Sequence, residues 1–178
     1  MQASAESRSE LRVDLPDEAA TARLGAALAQ AIEADSATIE RAGLVIALSG
    51  ELGSGKTALV RATLRRLGVA GLVRSPTYSL LELYSISKLN FYHFDFYRFS
   101  EPVDFVSSGF RDFFGPGAVC AIEWPERAGE QRLTIDLRIR MQIADSGRIA
   151  QFDALTLVGQ ECLDGTKRAW QMSPDGAC

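Results

Sequence analysis

The fold of this chain is decided by one short stretch, Gly50-Glu51-Leu52-Gly53-Ser54-Gly55-Lys56-Thr57. It matches the pattern G-x-x-x-x-G-K-[ST], in which a glycine-rich turn points successive backbone N–H groups at phosphate oxygens. The helix that follows such a loop adds the positive end of its dipole. We therefore predict a nucleotide-binding loop, in which Lys56 bridges the β- and γ-phosphates and the Thr57 hydroxyl binds Mg²⁺. The predicted nucleotide-binding residues are Glu51, Leu52, Gly53, Ser54, Gly55, Lys56 and Thr57.

The segments on either side of the loop have the patterns that such a loop requires. Leu44 to Leu48 is a continuous apolar run, which is typical of a strand buried on both faces. From Lys56 to Leu67 apolar residues recur at helical spacing, and Gly68 is a stop signal. An earlier helix is predicted after Pro16, so the order is helix, buried strand, glycine-rich turn, helix.

The remainder of the chain predicts a mixture of strands and one short helix. The strict alternation of residues 133–143 indicates a half-buried antiparallel strand, and a turn then returns the chain as its hairpin partner. The predicted elements after the loop are strands at 78–84 and 89–96, a helix at 102–114, a buried strand at 118–122, and the hairpin of 133–143 with 148–158.

Length and composition indicate a single domain. The chain has 178 residues, of which 47% are hydrophobic, which is enough for one sizeable core. We predict a flexible N-terminal tail over 1–12, one ATPase domain over 13–160, and a mobile C-terminal tail over 161–178. The formal net charge of −4 argues against a chain that holds nucleic acid mainly by its own charge.

Residue counts exclude several other classes. Three cysteines, with no Cys-x-x-Cys pair, are too few for a disulfide framework, and one histidine cannot build a His-rich zinc site. Any metal should therefore be a hard cation held by oxygen. The sequence lacks an apolar stretch of membrane-span length and the layout of a signal peptide. We therefore expect a soluble, cytoplasmic protein that does not contact the membrane.

The remaining motifs point to ATP and to two acidic residues. Guanine-binding proteins of this kind usually carry an Asn-Lys-x-Asp segment, and the only asparagine here, Asn90, is followed by Phe91, so ATP is favoured. Glu123 follows a buried strand, and Asp95 ends another apolar segment. Because the carboxyl ends of parallel strands face the ligand crevice, either acid could hold Mg²⁺ or orient the attacking water.

Other residues near these acids have alternative interpretations. His93 should lie on the same side of its strand as Asp95, but a single histidine among aromatic residues is more commonly a packed core residue. Trp124 is equally consistent with a core position and with a contact to a base or partner. The arginines at 61, 65, 66 and 74 indicate either a solvated helix face or a surface for an acidic partner.

Four motifs in this order resemble the bacterial TsaE family. They are the loop at 50–57, Ser75-Pro76-Thr77, His93-Phe94-Asp95-Phe96-Tyr97-Arg98 and Ile122-Glu123-Trp124-Pro125-Glu126-Arg127. The resemblance extends over residues 15–158. It implies a small ATPase that is needed to make N6-threonylcarbamoyladenosine, the modified base next to the anticodon in tRNA.

The resemblance also implies a fold, site roles and a partner. The fold would be an α/β three-layer P-loop fold with a mixed, mostly parallel central sheet, to which the sequence adds the C-terminal antiparallel hairpin. ATP and Mg²⁺ would bind at the loop, with Thr57 and Glu123 on the metal side, Lys56 on the phosphates and Asp95 required for turnover. The chain, a monomer when free, would dock on the TsaB–TsaD heterodimer and reset it by hydrolysing ATP, contacting tRNA only indirectly.

Two alternatives remain open from the residues. A small-molecule P-loop kinase has this size and loop, although such kinases usually carry an arginine-rich lid that is not recognisable in this sequence. A nucleotide-gated binding module would use ATP only to order its docking surface. We also expect weak ATPase activity in the isolated chain, because only Arg98 is a candidate arginine finger.

Overall fold

The computed structural model describes residues 10–129 and 133–173. The strands are β1 (Glu10–Leu15), β2 (Leu44–Ser49), β3 (Leu81–Ile86), β4 (Leu89–Asp95), β5 (Ala118–Glu123), β6 (Leu137–Ile143) and β7 (Arg148–Ala154). The helices are α1 (Glu18–Ala34), α2 (Ser36–Ala42), α3 (Lys56–Arg66), α4 (Pro102–Ser107) and α5 (Leu157–Met172), with 3-10 turns at Phe110–Phe113 and Pro125–Ala128.

All seven of these strands form one mixed sheet, in the order β1-β7-β6-β2-β5-β4-β3. The four central strands, β6, β2, β5 and β4, pair in parallel, whereas β3, β7 and β1 add to the two sides in antiparallel fashion. β2 lies at the centre, which explains its unbroken apolar sequence, because both of its faces are covered. The predicted mixed sheet with a parallel centre and a C-terminal hairpin is confirmed.

Side chains of the central strands alternate between two cores. Leu44, Ile46 and Leu48 of β2 face a cluster with side chains of α1, α3 and α5, and α1 packs against both other helices. Val45 points to the opposite face, where aromatic rings dominate. There Phe94 and Phe96 pack against rings from α4 and the following 3-10 turn, so the fold has three layers.

The predicted C-terminal tail is wrong for residues 161–172, which belong to α5. Hydrophobic periodicity does not indicate α5, because much of its buried face consists of small residues, including Gly165, Thr166 and Ala169, rather than large apolar ones. At the other end of the chain, β1 begins at Glu10, so the predicted tail is also wrong for residues 10–12. The rest of both predicted tails, 1–9 and 174–178, lies outside the described residues.

Asp136 anchors α5 to the sheet. Its Oδ1 accepts a hydrogen bond from Thr156 Oγ1 at 2.6 Å, and its Oδ2 accepts one from the Val45 backbone N at 2.8 Å. Thr156 also caps α5, because its hydroxyl accepts a hydrogen bond from Gly159 N at 3.2 Å. One carboxylate therefore joins the start of the last helix to the central strand.

Several further element boundaries differ from the prediction. β7 ends at Ala154 rather than at residue 158, because α5 begins at Leu157. The predicted helix over 102–114 ends at Ser107, since Gly109 takes a left-handed conformation (φ 73°) before the 3-10 turn. β3 begins at Leu81 rather than at residue 78, because residues 75–80 form a turn that contacts β4. β6 begins at Leu137 and pairs in parallel with β2 as well as antiparallel with β7.

None of the helices in the described ranges is both long and apolar enough to cross a membrane.

Candidate nucleotide-binding site

The glycine-rich loop joins the end of β2 to the start of α3. Gly53 (φ 78°) and Gly55 (φ 101°) take left-handed conformations, which residues with a Cβ rarely adopt. Position 50 also has no room for a side chain, because a Cβ on Gly50 (φ 137°) would lie 2.1 Å from the Met141 carbonyl oxygen of β6. The Ser54 N–H donates to the Glu51 carbonyl at 3.1 Å and closes the turn. The loop therefore has the wrapped backbone that phosphate binding needs.

Lys56 lies inside the loop, only 4% exposed. Its Nζ donates to the Gly50 carbonyl at 2.7 Å and to the Glu51 carbonyl at 2.9 Å. The same ammonium lies 4.2 Å from the centre of the Trp124 ring, a cation–π contact. Burial lowers the pKa of Lys56, and the negative charge of Glu123 opposes that shift. The positive charge of the ammonium therefore lies within the loop, close to the carboxylates of Glu123 and Asp95.

Thr57 and Glu123 meet at the first turn of α3. The Thr57 hydroxyl donates to Glu123 Oε1 at 2.7 Å, although the two residues are 66 positions apart in the chain. His93 Nε2 lies 2.9 Å from the same oxygen. Glu123 is 3% exposed and His93 is fully buried, so the pair is shielded from water.

Asp95 lies beside Glu123, because the two residues are register partners on the parallel strands β4 and β5. Its Oδ2 accepts hydrogen bonds from the hydroxyls of Ser75 and of Thr77, the latter at 2.8 Å. Its Oδ1 accepts one from the Tyr97 backbone N at 2.9 Å. The carboxylate is 2% exposed and is held by the turn that precedes β3.

A cleft of about 360 Å³ opens over these groups. The predicted site residues that line it are Leu52, Gly53, Gly55, Lys56, Thr57, Asp95 and Glu123. Glu51 and Ser54 do not line the cleft, because the Glu51 side chain is exposed to solvent and Ser54 is buried. The structure therefore brings together all three predicted catalytic residues and both predicted metal-side residues.

The oxygen groups in the cleft suit a hard cation. Across residues 10–129 and 133–173, no group of three or more His, Cys, Asp and Glu residues could hold a metal by itself. Thr57 and Glu123 supply two oxygen donors, which fits Mg²⁺, a cation that is commonly bound by one or two protein oxygens together with phosphate oxygens and water. The site thus fits a metal that enters together with a nucleotide.

Several contacts around the loop have no signal in the sequence. Arg148, at the start of β7, donates from Nη2 to the Gly53 carbonyl at 3.0 Å and from Nε at 3.3 Å. These residues are 95 positions apart, so only the hairpin topology brings them together. Trp124 is half-buried against the aromatic core, and its ring also lines the cleft, beneath the Lys56 ammonium and near Tyr97. Ser75 and Thr77 belong to a motif visible in the sequence, and Asp95 is a predicted site residue, but the hydrogen bonds between them appear only in the structure.

Comparison with known proteins agrees with this architecture. A model of the family described as "Threonylcarbamoyl adenosine biosynthesis protein TsaE" matches residues 15–150. The tRNA threonylcarbamoyladenosine biosynthesis protein TsaE of Haemophilus influenzae is 34% identical over 149 residues, which cover 84% of this chain and 92% of that protein. The protein of the same name from Treponema pallidum is 35% identical over 132 residues, covering 72% of this chain and 89% of the relative.

A solved structure has the same fold. The crystal structure of YdiB from Bacillus subtilis superimposes with a TM-score of 0.72, and the match covers 92% of this chain and 98% of that one. At 22% identity this likeness supports the architecture alone.

The loop between β2 and α3, on a mixed sheet with a parallel centre, defines a P-loop α/β protein. Within that class, the family match and the two relatives show that the chain belongs to the TsaE family of tRNA threonylcarbamoyladenosine biosynthesis proteins. The resemblance seen in the sequence is confirmed.

Proposed function

We propose that this chain binds ATP with Mg²⁺ and hydrolyses it as a subunit needed for N6-threonylcarbamoyladenosine modification of tRNA, acting through the TsaB–TsaD heterodimer. The observation that carries the proposal is the hydrogen bond of 2.7 Å between Thr57 and Glu123 at the head of the glycine-rich loop. P-loop enzymes use this pairing of a loop hydroxyl with a strand-end acid to hold the metal.

Each site residue has a defined part in this proposal. When a nucleotide binds, the Lys56 ammonium would leave the Gly50 and Glu51 carbonyls and contact β- and γ-phosphate oxygens instead. It already lies inside the loop. The metal would offset negative charge that develops on the transferred phosphoryl group. Asp95 would orient the attacking water from the strand next to Glu123.

The contacts of Asp95 and Arg98 support the proposal that the free chain has weak activity. Asp95 Oδ2 accepts hydrogen bonds from two hydroxyls, and the Arg98 guanidinium lies 4.2 Å from the centre of the Tyr78 ring. Both groups contact the segment before β3 rather than the glycine-rich loop. We propose that docking on TsaB–TsaD aligns them with the γ-phosphate, so that turnover depends on the partner.

The net charge of −4 suits a subunit that reaches tRNA only through its partners. Such a subunit would be a monomer when free and would act in the cytoplasm, where tRNA is modified. Membrane contact is not part of the proposal.

The test is a reconstitution with the cognate TsaB–TsaD pair. Wild-type protein, Lys56→Ala and Asp95→Ala are compared for complex formation, ATP hydrolysis and repeated rounds of tRNA modification. We expect both variants to lose hydrolysis and to fail in repeated modification, because resetting would need turnover. Arg12→Ala, which changes an exposed side chain on β1, is the matched control and should behave as wild type.

Three outcomes would contradict the proposal in different ways. Modification that continues unchanged without hydrolysis would favour a nucleotide-gated binding module. Transfer of phosphate to a metabolite rather than to water would favour a kinase. Failure of the wild-type chain to bind TsaB–TsaD with or without ATP would remove the proposed partner.

A further inference from the structure

His93 lies on β4 between the two cores and contacts the acid of the site directly. Its Nε2 is 2.9 Å from Glu123 Oε1, and the side chain is fully buried. The other ring nitrogen, Nδ1, is buried without a hydrogen-bond partner in the described structure. The hydrogen bond that the described structure gives this ring is therefore the one to the acid of the site.

The partner of Nε2 determines the direction of this hydrogen bond. A carboxylate oxygen only accepts hydrogen bonds, so Nε2 carries a proton and donates it to Glu123 Oε1.

We propose that His93 is a positioning residue for the metal-side acid. Thr57 and His93 both donate to Glu123 Oε1, from two different elements, and together they fix the rotation of the carboxylate. Oε2 is thereby left to serve a bound cation or its water. This inference rests on the proposed Mg²⁺–ATP site.

The first test examines the hydrogen bond without changing the protein. His93 is the only histidine in the chain, so ¹⁵N-histidine labelling of untagged protein gives one pair of ring-nitrogen signals. At neutral pH we expect a proton on Nε2, and we expect the Nε2 signal to shift in Glu123→Gln. A ring without a proton on Nε2, or an Nε2 signal that is unchanged in Glu123→Gln, would overturn the inference.

The second test uses substitutions that separate the two ring nitrogens. The amide nitrogen of Gln is as many bonds from Cβ as Nε2 of His, whereas that of Asn corresponds to Nδ1. His93→Gln should therefore replace the hydrogen bond to Glu123, and His93→Asn should not. His93→Leu removes every polar atom while keeping a similar apolar volume, and it is the control for packing.

The measurement is the affinity for a non-hydrolysable ATP analogue, with MgCl₂ and with EDTA. Mg²⁺ should raise the nucleotide affinity of His93→Asn and of His93→Leu by a factor about 10- to 100-fold smaller than in wild type. In His93→Gln the increase should stay near that of wild type. Affinity in EDTA should not change, because Lys56 and the loop backbone are intact. An equal loss with and without Mg²⁺, or no loss in any variant, would overturn the inference.

The same experiment separates this inference from the proposed function. If the wild-type chain shows no Mg²⁺-dependent binding, the proposed function fails before the variants are compared. If the wild-type chain binds with Mg²⁺ and the His93 variants equal it, only the role of His93 fails. Should the variants not fold, the nitrogen signals of the wild-type chain decide the question.

Discussion

Asp95 and Glu123 are register partners on adjacent parallel strands, yet their carboxylates bond to separate groups. Glu123 accepts from Thr57 on the phosphate-loop helix, whereas Asp95 accepts from Thr77 in the turn before β3. The sequence left open which of the two acids serves the metal. The contact with Thr57 favours Glu123 for that role within the proposed function, in which Asp95 is proposed to orient the water.

This division predicts different defects for two matched amide substitutions. Glu123→Gln should weaken Mg²⁺-dependent nucleotide binding by about 10- to 100-fold, because an amide is a poor substitute for a carboxylate beside a cation. Asp95→Asn should leave binding near wild type and lower turnover in the TsaB–TsaD complex by about 10²- to 10⁴-fold. Equilibrium binding and single-turnover hydrolysis measure the two effects, and equal loss of binding in both variants would contradict the assignment.

Trp124 should report nucleotide binding by its fluorescence. Its ring lies 4.2 Å from the Lys56 ammonium, which is expected to turn towards phosphates when a nucleotide binds. We expect a change in emission on adding ATP that persists in Trp170→Phe and disappears in Trp124→Phe. Trp170 is a suitable control because it lies on α5 beside Arg23, away from the cleft. A signal that follows Trp170 instead would show that the binding change lies elsewhere.

Gly159→Ala should destabilise the protein although alanine is the better helix former. Helix propensity alone predicts a gain of about 1 kcal/mol. A Cβ at this position would lie 1.9 Å from the Asp136 carbonyl oxygen, however, so the start of α5 would have to move away from the sheet. We expect a net loss of about 1–3 kcal/mol in the free energy of unfolding, measured by chemical denaturation.

The matched control for this substitution is Gly71→Ala. A Cβ at Gly71 would meet nothing within 4 Å, so the free energy of unfolding should change little. A Gly159→Ala protein with the same free energy of unfolding as wild type would contradict the close contact between the start of α5 and the Asp136 carbonyl oxygen.

Two buried thiols should make the protein less stable in alkali. Burial raises the pKa of Cys120 and of Cys162 from 9.0 to about 12. Because the folded state holds these protons more tightly than the unfolded state, their contribution to stability is complete below about pH 9 and is lost as the pH rises towards 12. Urea denaturation between pH 8 and 11, compared with Cys120→Ala and Cys162→Ala, measures this slope.

The same burial predicts that neither thiol reacts in the folded protein. Cys178 lies outside the described residues, so Cys178→Ser is the background in which the other two are counted. In that background a thiol reagent should label no cysteine under native conditions and both in denaturant. Labelling of the native protein would contradict the burial of these side chains.

Sequence patterns predicted those parts of the fold in which a long apolar run or a strict motif is present. β2 and β5 were predicted because strands covered on both faces must be apolar throughout. α5 was not predicted, because its packing against α1 uses close approach of small residues, as at Gly165 beside Ala31, rather than a stripe of large ones. Hydrophobic periodicity does not register that kind of contact.

The sequence by itself determined the residue types of the candidate site, which are a glycine-rich loop of the P-loop pattern at 50–57 and acids at 95 and 123, and the resemblance to one family. These features depend on residue types at short spacing, which the chain displays directly. Only the tertiary structure decided which groups lie in contact. Glu123 lies between Thr57 and His93, and Arg148 holds the Gly53 carbonyl, because strand order and register bring distant segments together. Those pairings arise from the packing of the whole sheet, and no local pattern of residues encodes them.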